Sequence, residues 1–471
     1  MTLRLHNTLT GRTEDFQPLE TGLVRMYTCG PTVWSHSHVG NFRAVLFYDL
    51  LRRHLVVSGY RVLHVMNITD VDDRIIERAA AAGVTIDQLT RPFEEAFFED
   101  LGRLRVQEAD ICPRATGHVE EMVLLIERLL ASGHAYEAED GVYFRVASFP
   151  AYGALTHLDR AGLRSGARVA SDKYEKEAAT DFALWKRARP EDERVGAAWE
   201  APFGRGRPGW HVECSAMAMR YLGETLDLHA GGVDLLFPHH ENEIAQSEAA
   251  TGRPFARWWL HSQHLADATG AKMSKSEGNI TTLRELVAAG HDPLAVRLLL
   301  MGSAHYRSRI RLTDEALHGA AEQLRRLQDF ADRVRRLEPG PADEAGLFQD
   351  VLDARDAYRE ALDDDLNLPR GLGHVFELVR TANAAMDAGR LGTAGREALL
   401  VLLADVDAHL DVLTPEQASL DTAVERLIAE REEARRARDF AAADRIRERL
   451  REQGVQLEDS REGVRWRLVR P

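Results

Sequence analysis

The sequence predicts an α/β protein: a doubly wound parallel sheet interrupted by an insertion, then an all-helical C-terminal region and a small α+β tail. Three observations predict it. A strand–loop–helix–strand unit opens the chain between Leu23 and Ile68, the start of a parallel sheet with right-handed crossovers. Long segments rich in Ala, Leu, Arg, Glu and Asp replace that alternation after about Thr313. A strand-like run, Val464 to Val469, ends the chain after two helical patterns.

The elements follow in order. Leu23 to Cys29 is a short apolar strand, and Gly30, Pro31 and the polar run to His38 form a turn. Val39 to Val57 then carries Val39, Phe42, Val45, Leu46, Leu50 and Leu55 at helical spacing. Gly59 ends that helix, Tyr60 to Ile68 is the second strand, and Val71 to Ala82 the next helix. His118 to Ser132 is amphipathic. From Gly133 to about Phe203 the pattern breaks up with Gly, Pro and alternating residues, which marks an insertion between two halves of the sheet. Leu226 to His229 is a returning strand, and Pro238 to Ala250 a helix opening with Pro in its first turn. Leu337 to Ala345, rich in Pro, Gly and acid, is a linker, and a second break lies near Leu413 to Ser419. Asp421 to Arg438 and Phe440 to Gln453 pair as helices. The expected domains are 1–312, with the insertion at about 113–203, then a helical bundle over 313–415 and a tail over 420–471.

At 471 residues the chain is too long for a single core. An apolar fraction of 44% and a charged fraction of 29% are those of an ordinary globular protein. Met1 to Phe16 has no signal-peptide pattern, and no run approaches the ~18 apolar residues of a membrane span, so a cytoplasmic location is expected. Three cysteines, Cys29, Cys112 and Cys214, do not make a disulfide framework and point to a local thiol or metal role. A net charge of −15 argues against a protein coated for non-specific nucleic-acid binding, though not against local basic patches. Only five of the 60 basic residues are Lys, and two of them, Lys272 and Lys275, lie three apart; such a chain uses Lys where a compact ammonium is needed.

Three constellations carry candidate chemistry. His239 and Glu243 stand at i and i+4 and project from one helix face. With Cys214 and with Cys29, at a strand end where doubly wound sheets bind ligands, they make a set suited to zinc. His36, His38, Gly40 and Asn41 lie at a loop-to-helix junction, where free N–H groups and partial positive charge suit a phosphate. Gly270 to Gly278 brackets Lys272 and Lys275 on a loop able to close over a polyphosphate. On residue type alone each also has an ordinary reading: a buried thiol, a helix cap, a solvated loop.

Here the strings resemble a family. His38-Val39-Gly40-Asn41 resembles the HIGH element of the class I aminoacyl-tRNA synthetases, and Lys272 to Ser276 matches their KMSKS element letter for letter. Within that class, Tyr27 to Val33, Asn67 to Asp73, Arg207 to Met217 and Phe237 to Ala245 resemble the cysteinyl-tRNA synthetases. The resemblance spans roughly residues 3–312 and resumes at Ala437 to Trp466, which is similar to that family's anticodon-binding end.

The resemblance implies a Rossmann-like catalytic domain over 1–312 and an anticodon-binding domain over 420–471. It implies one zinc per chain on Cys29, Cys214, His239 and Glu243, with the substrate thiolate selected by that metal, and a pocket lined by Thr69, Trp210 and His229. It further implies ATP with Mg²⁺ as substrate, His38, Asn41, Lys272 and Lys275 in catalysis, and Gly40, Gly232, Asp234 and Lys275 holding the nucleotide. The partners would be L-cysteine and tRNA(Cys), without a membrane, and the chain a monomer. Asn41 departs from the element's second His, and Asn can donate a hydrogen bond but carries no charge. Two other readings share these strings: a ligase joining cysteine to an amino sugar, and a silent RNA-binding relative. The helical extension from Thr313 to Pro471 and Glu243 favour the tRNA reading over the first, and the intact KMSKS element disfavours the second.

Overall fold

The computed structural model describes residues 2–157, 180–271, 273, 280–413, 427–428, 430–432, 434–435, 439–452, 455–460 and 463–468. A hairpin of β1 (Arg4–Asn7) and β2 (Arg12–Asp15) precedes β3 (Leu23–Thr28). Helix α1 (Val39–Val57) leads to β4 (Arg61–Met66), α2 (Asp73–Ala82) and α3 (Ile86–Arg103). After a further helix, Val119–Ala131, come β5 (Ala135–Ala138), β6 (Gly141–Phe144), β7 (Phe182–Arg187) and β8 (Gly206–Pro208). These four form an antiparallel sheet in the order β5-β6-β7-β8, whose last strand lies beyond residue 203. The helix Trp210–Leu222 then returns the chain to β9 (Leu226–Gly232) and β10 (Ala256–Ser262).

The central sheet is parallel, in the order β10-β9-β3-β4. From β3 the chain crosses to β4 on one side, while β9 lies on the other. That reversal opens a crevice at the carboxyl end of β3, where a doubly wound sheet receives its ligand. Side chains alternate across the pleat. Val24 and Met26 enter a core shared with α1 and the helical region, whereas Tyr27 and Cys29 enter a core shared with α2, Val119–Ala131 and Trp210–Leu222. The hairpin is stitched to β10, Asn7 Nδ2 donating to Arg257 O at 3.0 Å.

Short parallel strands β11 (Leu265–Ala266) and β12 (Ile310–Arg311) flank the helix Pro293–Gly302. Four long helices follow: Asp314–Arg336, Leu347–Asp363, Leu368–Asp387 and Thr393–Leu410. Fully buried Arg297 ties them to α1, its Nη2 donating to Asp49 Oδ2 at 2.5 Å and its Nε to Leu410 O at 2.5 Å. The helix Phe440–Glu452 and the antiparallel pair β13 (Val455–Ser460) and β14 (Gly463–Leu468) end the described chain. No helix among the described residues is long and apolar enough to cross a membrane.

Several expected bounds shift. The strand expected over Tyr60 to Ile68 spans Arg61–Met66, and the helix expected from Val71 begins at Asp73 because Asp72 caps it, its carboxylate accepting from Ile75 N at 2.7 Å. The helix expected from Pro238 to Ala250 becomes regular only over Glu241–Thr251. Phe237 takes φ −137°, ψ 133°, which breaks the helix between Leu236 and His240. The β1–β2 hairpin, α3 and β13 were not anticipated from the sequence. Pro92 sits inside α3 and disguises a helix that a Thr85–Gln88 capping box initiates.

Candidate functional site

Cys29 directly follows β3, and its N–H bonds Ala230 O across the sheet at 3.2 Å. Cys214 comes from the helix Trp210–Leu222, while His239 and Glu243 straddle the start of Glu241–Thr251. One donor atom from each of these four lies within 4.8 Å of the others, and all four residues are buried. Glu243 is the hub. Its Oε1 is 2.9 Å from His239 Nε2 and its Oε2 is 2.8 Å from His229 Nε2. A second quartet, Cys29, His229, His240 and Glu243, meets the same distance limit and shares two members with the first. His240 Nε2 lies 3.3 Å from Cys29 Sγ, while its Nδ1 is held by His261 Nε2 at 2.8 Å.

The electrostatics suit a cation. Burial disfavours the charge on Glu243, but His229 and His239 overcome it and hold the carboxyl down at about 2. Burial likewise opposes charge on His239, yet Glu243 and Cys214 raise it to about 10. A hydrogen bond with Cys29 pulls Cys214 down, against burial, to about 6, whereas burial pushes the Cys29 thiol well up. Two sulfurs, an imidazole and a carboxylate, buried together within reach of one point, are a donor set that fits zinc better than a hard cation.

A cleft of about 430 Å³ opens beside these groups, lined by Cys29, Cys214, His239, Thr69 and Trp210 among others. Trp210, 39% exposed, stacks on His239 with centroids 4.3 Å apart. Thr69 is held twice: Asn67 Nδ2 donates to its Oγ1 at 3.1 Å, and its hydroxyl donates to Glu213 Oε2 at 3.1 Å. His229 does not reach the cleft wall. It lies beneath Glu243, fully buried, stacked on Trp259 at 4.4 Å.

At the other end of the cleft, His38 is the N-cap residue of α1. Its N–H donates to Asn41 Oδ1 at 3.1 Å, so the Asn41 side chain closes the helix start. Gly40 packs against the His38 ring, where a Cβ would come within 2.9 Å of it. Gly232 and Asp234 line the same cleft at the end of β9, and a Cβ on Gly232 would come 2.6 Å from Asp234 Oδ1. His36 is exposed and edge-on to Phe93, with centroids 5.2 Å apart. Lys272 and Lys275 lie outside the described residues. Their described neighbours close on the cleft: Met273 N bonds Leu265 O at 3.3 Å, and Val39 N bonds Thr281 O at 2.8 Å.

Reasoning from sequence missed Asn67, Glu213 and His240 as working parts of this site. Glu213 carried a signal, a carboxylate inside an otherwise apolar helix face and adjacent to Cys214. Burial pushes its carboxyl well above the ordinary range. Asn67 and His240 differ from ordinary polar residues only through what the fold places opposite them.

The parallel sheet with a carboxyl-end crevice, a helix N-terminus at its mouth and a helical C-terminal region defines the class I aminoacyl-tRNA synthetase architecture. The structure of methionyl-tRNA synthetase from Mycobacterium tuberculosis in complex with methionyl-adenylate superposes with a TM-score of 0.63 at 18% identity, covering 84% of this chain and 92% of that one. Family models place the class I (C) catalytic domain of tRNA synthetases at residues 15–322, a DALR domain at 357–413 and the cysteinyl-tRNA ligase anticodon binding domain at 417–467. Cysteine–tRNA ligase of Solibacter usitatus is 48% identical, over 99% of this chain and 100% of the relative. That of Symbiobacterium thermophilum is 46% identical, over 99% and 100% respectively. The chain belongs to the cysteine–tRNA ligase family and is an aminoacyl-tRNA ligase.

Proposed function

We propose that this ligase selects cysteine by its sulfur, through a single zinc ion held by Cys29, Cys214, His239 and Glu243. The observation that carries the proposal is the convergence of these four buried donors within 4.8 Å of one another, with Cys29, Cys214 and His239 on the wall of the cleft. Serine differs from cysteine by one atom, a difference a pocket reads poorly by shape. Zinc held by these residues would supply a soft Lewis acid that favours a thiolate far more than an alcohol. Of the two quartets, the first is the better holder. It contains both buried thiols and puts Cys29, Cys214 and His239 on the cleft wall, whereas the second has one thiol and only Cys29 there. His229 orients Glu243 from behind rather than lining the pocket.

The remaining assignments rest on the cleft and on the family. The cysteine carboxylate attacks the α-phosphate of ATP, delivered with Mg²⁺, and pyrophosphate leaves. The terminal ribose hydroxyl of tRNA(Cys) then attacks the acyl carbon and AMP leaves. The chain positions and neutralises charge rather than moving protons. His38 and the first N–H groups of α1 receive phosphate oxygens, with Gly40 letting the ligand approach. Asn41, engaged with His38 N–H, serves to hold the helix start rather than to supply charge. Lys272 and Lys275 act on the pyrophosphate side, Gly232 and Asp234 on the adenosine, and Thr69 and Trp210 on the amino acid. The proposed division is 1–312, 313–415 and 420–471, in a cytoplasmic monomer.

Elemental analysis of protein purified without chelator, paired with cysteine- and serine-dependent ATP–pyrophosphate exchange, tests this. One zinc per chain and exchange with cysteine alone are expected. Exchange that persists in zinc-free protein would remove the metal from the selection.

A further inference from the structure

We infer that Trp34, Arg74 and Arg78 form a platform at the mouth of the cleft for the unpaired 3′-terminal nucleotides of the RNA substrate. This deepens the ligase reading above and rests on it. Arg74 and Arg78 stand one turn apart on α2, so both reach the same side. Their guanidinium carbons lie 5.6 and 4.2 Å from the centroid of the Trp34 ring. Both arginines are exposed, and among the described residues neither forms an ion pair. Asp72 partly offsets Arg74, which draws that carboxyl down against burial, but both guanidinium groups remain open to solvent. Trp34 is half-buried, and both it and Arg74 line the cleft.

The indole holds the two planar cations in place, so less of their side-chain entropy remains to be lost on binding. A guanidinium so held offers N–H donors to a phosphate and a flat face to a base. Alternating phosphates and rings are the chemistry of a single strand, and aromatic–cation surfaces of this kind bind one without reading sequence. ATP also has phosphates and a ring, but its phosphates are assigned to His38 and the start of α1, further along the loop, and its adenosine to the far flank. Gly232 and Asp234 belong to the end of β9, and Met273 packs beside β11. The segment carrying Trp34 bonds instead toward β4, through the Thr32–Thr69 bridge and Val33 N to Thr69 O at 3.1 Å. In the sheet, β9 and β4 flank β3 on opposite sides. Nucleotide and RNA end would therefore approach from opposite flanks and meet at the amino acid between them.

The test uses the full chain with purified tRNA(Cys), intact or lacking its unpaired 3′ nucleotides. In an Arg74→Ala/Arg78→Ala variant, KM for intact tRNA should rise about 10-fold, the scale of one stacked base. The salt slope of intact-tRNA binding should shrink by about 2, one per lost phosphate contact. Cysteine-dependent pyrophosphate exchange, measured without tRNA, should stay as in the unmodified protein. Binding of truncated tRNA should not distinguish the two proteins. Trp34→Ala should weaken intact-tRNA binding with both arginines still present, and Trp34→Phe should restore most of it. An unchanged KM and salt slope, an equal loss on truncated tRNA, or a parallel fall in exchange would overturn the platform. Absence of exchange in the unmodified protein would instead overturn the ligase reading, and the platform with it.

Discussion

At the scale of single residues, the site works by holding polar groups in one orientation. Gly30 N–H donates to Asn67 Oδ1 at 3.0 Å, which turns the amide so that its nitrogen donates to Thr69. The Thr69 hydroxyl in turn donates to Glu213, which leaves it one lone pair as an acceptor on a residue that lines the cleft. Such an atom suits an ammonium group. Thr69→Val would strip both Asn67 and Glu213 of a buried partner, and unpaired buried polar groups cost ~1–3 kcal/mol each. A lower urea midpoint together with a higher KM for cysteine is expected, and an unchanged midpoint would contradict the network. Lys275→Ala is expected to slow pyrophosphate exchange while zinc content, measured by elemental analysis, stays at that of the unmodified protein; unchanged exchange would remove Lys275 from the chemistry. The convergent quartet Cys29, Cys214, His239 and Glu243 was a candidate on sequence because its members carry chemical identity: two of only three cysteines, and a His–Glu pair at helical spacing. Asn67, Glu213 and His240 could not, because their roles lie in which groups face them across the fold.

At the scale of elements, periodicity and capping decide what is visible. The helix after the first strand was legible at both ends, Val39 and Val57, because apolar spacing ran unbroken and Ser58-Gly59 stopped it. The turn before Glu241 was not, since nothing in Leu236 to His240 announces that Phe237 leaves helical geometry. That irregular turn lets His239 project toward Glu243 and still stack on Trp210. Helix α2, which carries Arg74 and Arg78, depends on its cap. Asp72→Ala removes the acceptor of Ile75 N–H and should destabilise the protein by about 1 kcal/mol, readable as a lower urea midpoint. Zinc content should not change, and a midpoint equal to that of the unmodified protein would contradict the capping role.

At the scale of the whole molecule, buried polar ties join the parts. Arg297 links α1 to the end of Thr393–Leu410, so the helix whose first turn faces the cleft is braced at its far end by the helical region. No reading of local pattern could have paired Asp49 with Arg297, which are far apart in sequence. Buried histidines set the response to acid. Burial holds His64 and His409 each down at about 3, against 6.5 for an exposed imidazole. Below pH 6.5 the unfolded chain binds protons that the folded chain refuses until about pH 3, so stability falls as the pH drops through that window. Each group contributes up to ~1.4 kcal/mol per pH unit there. Urea midpoints should decline from pH 7 to pH 5, less steeply in a His64→Gln variant; a flat profile would contradict neutral burial.

On the proposed reading, two protein sulfurs, an imidazole and a carboxylate hold one zinc that recognises sulfur. X-ray absorption at the zinc edge counts sulfur neighbours directly. Two sulfurs in the free enzyme, rising to three when cysteine is added and staying at two with serine, is the result expected. A count that does not change with cysteine, or a zinc with no sulfur neighbour, would contradict it.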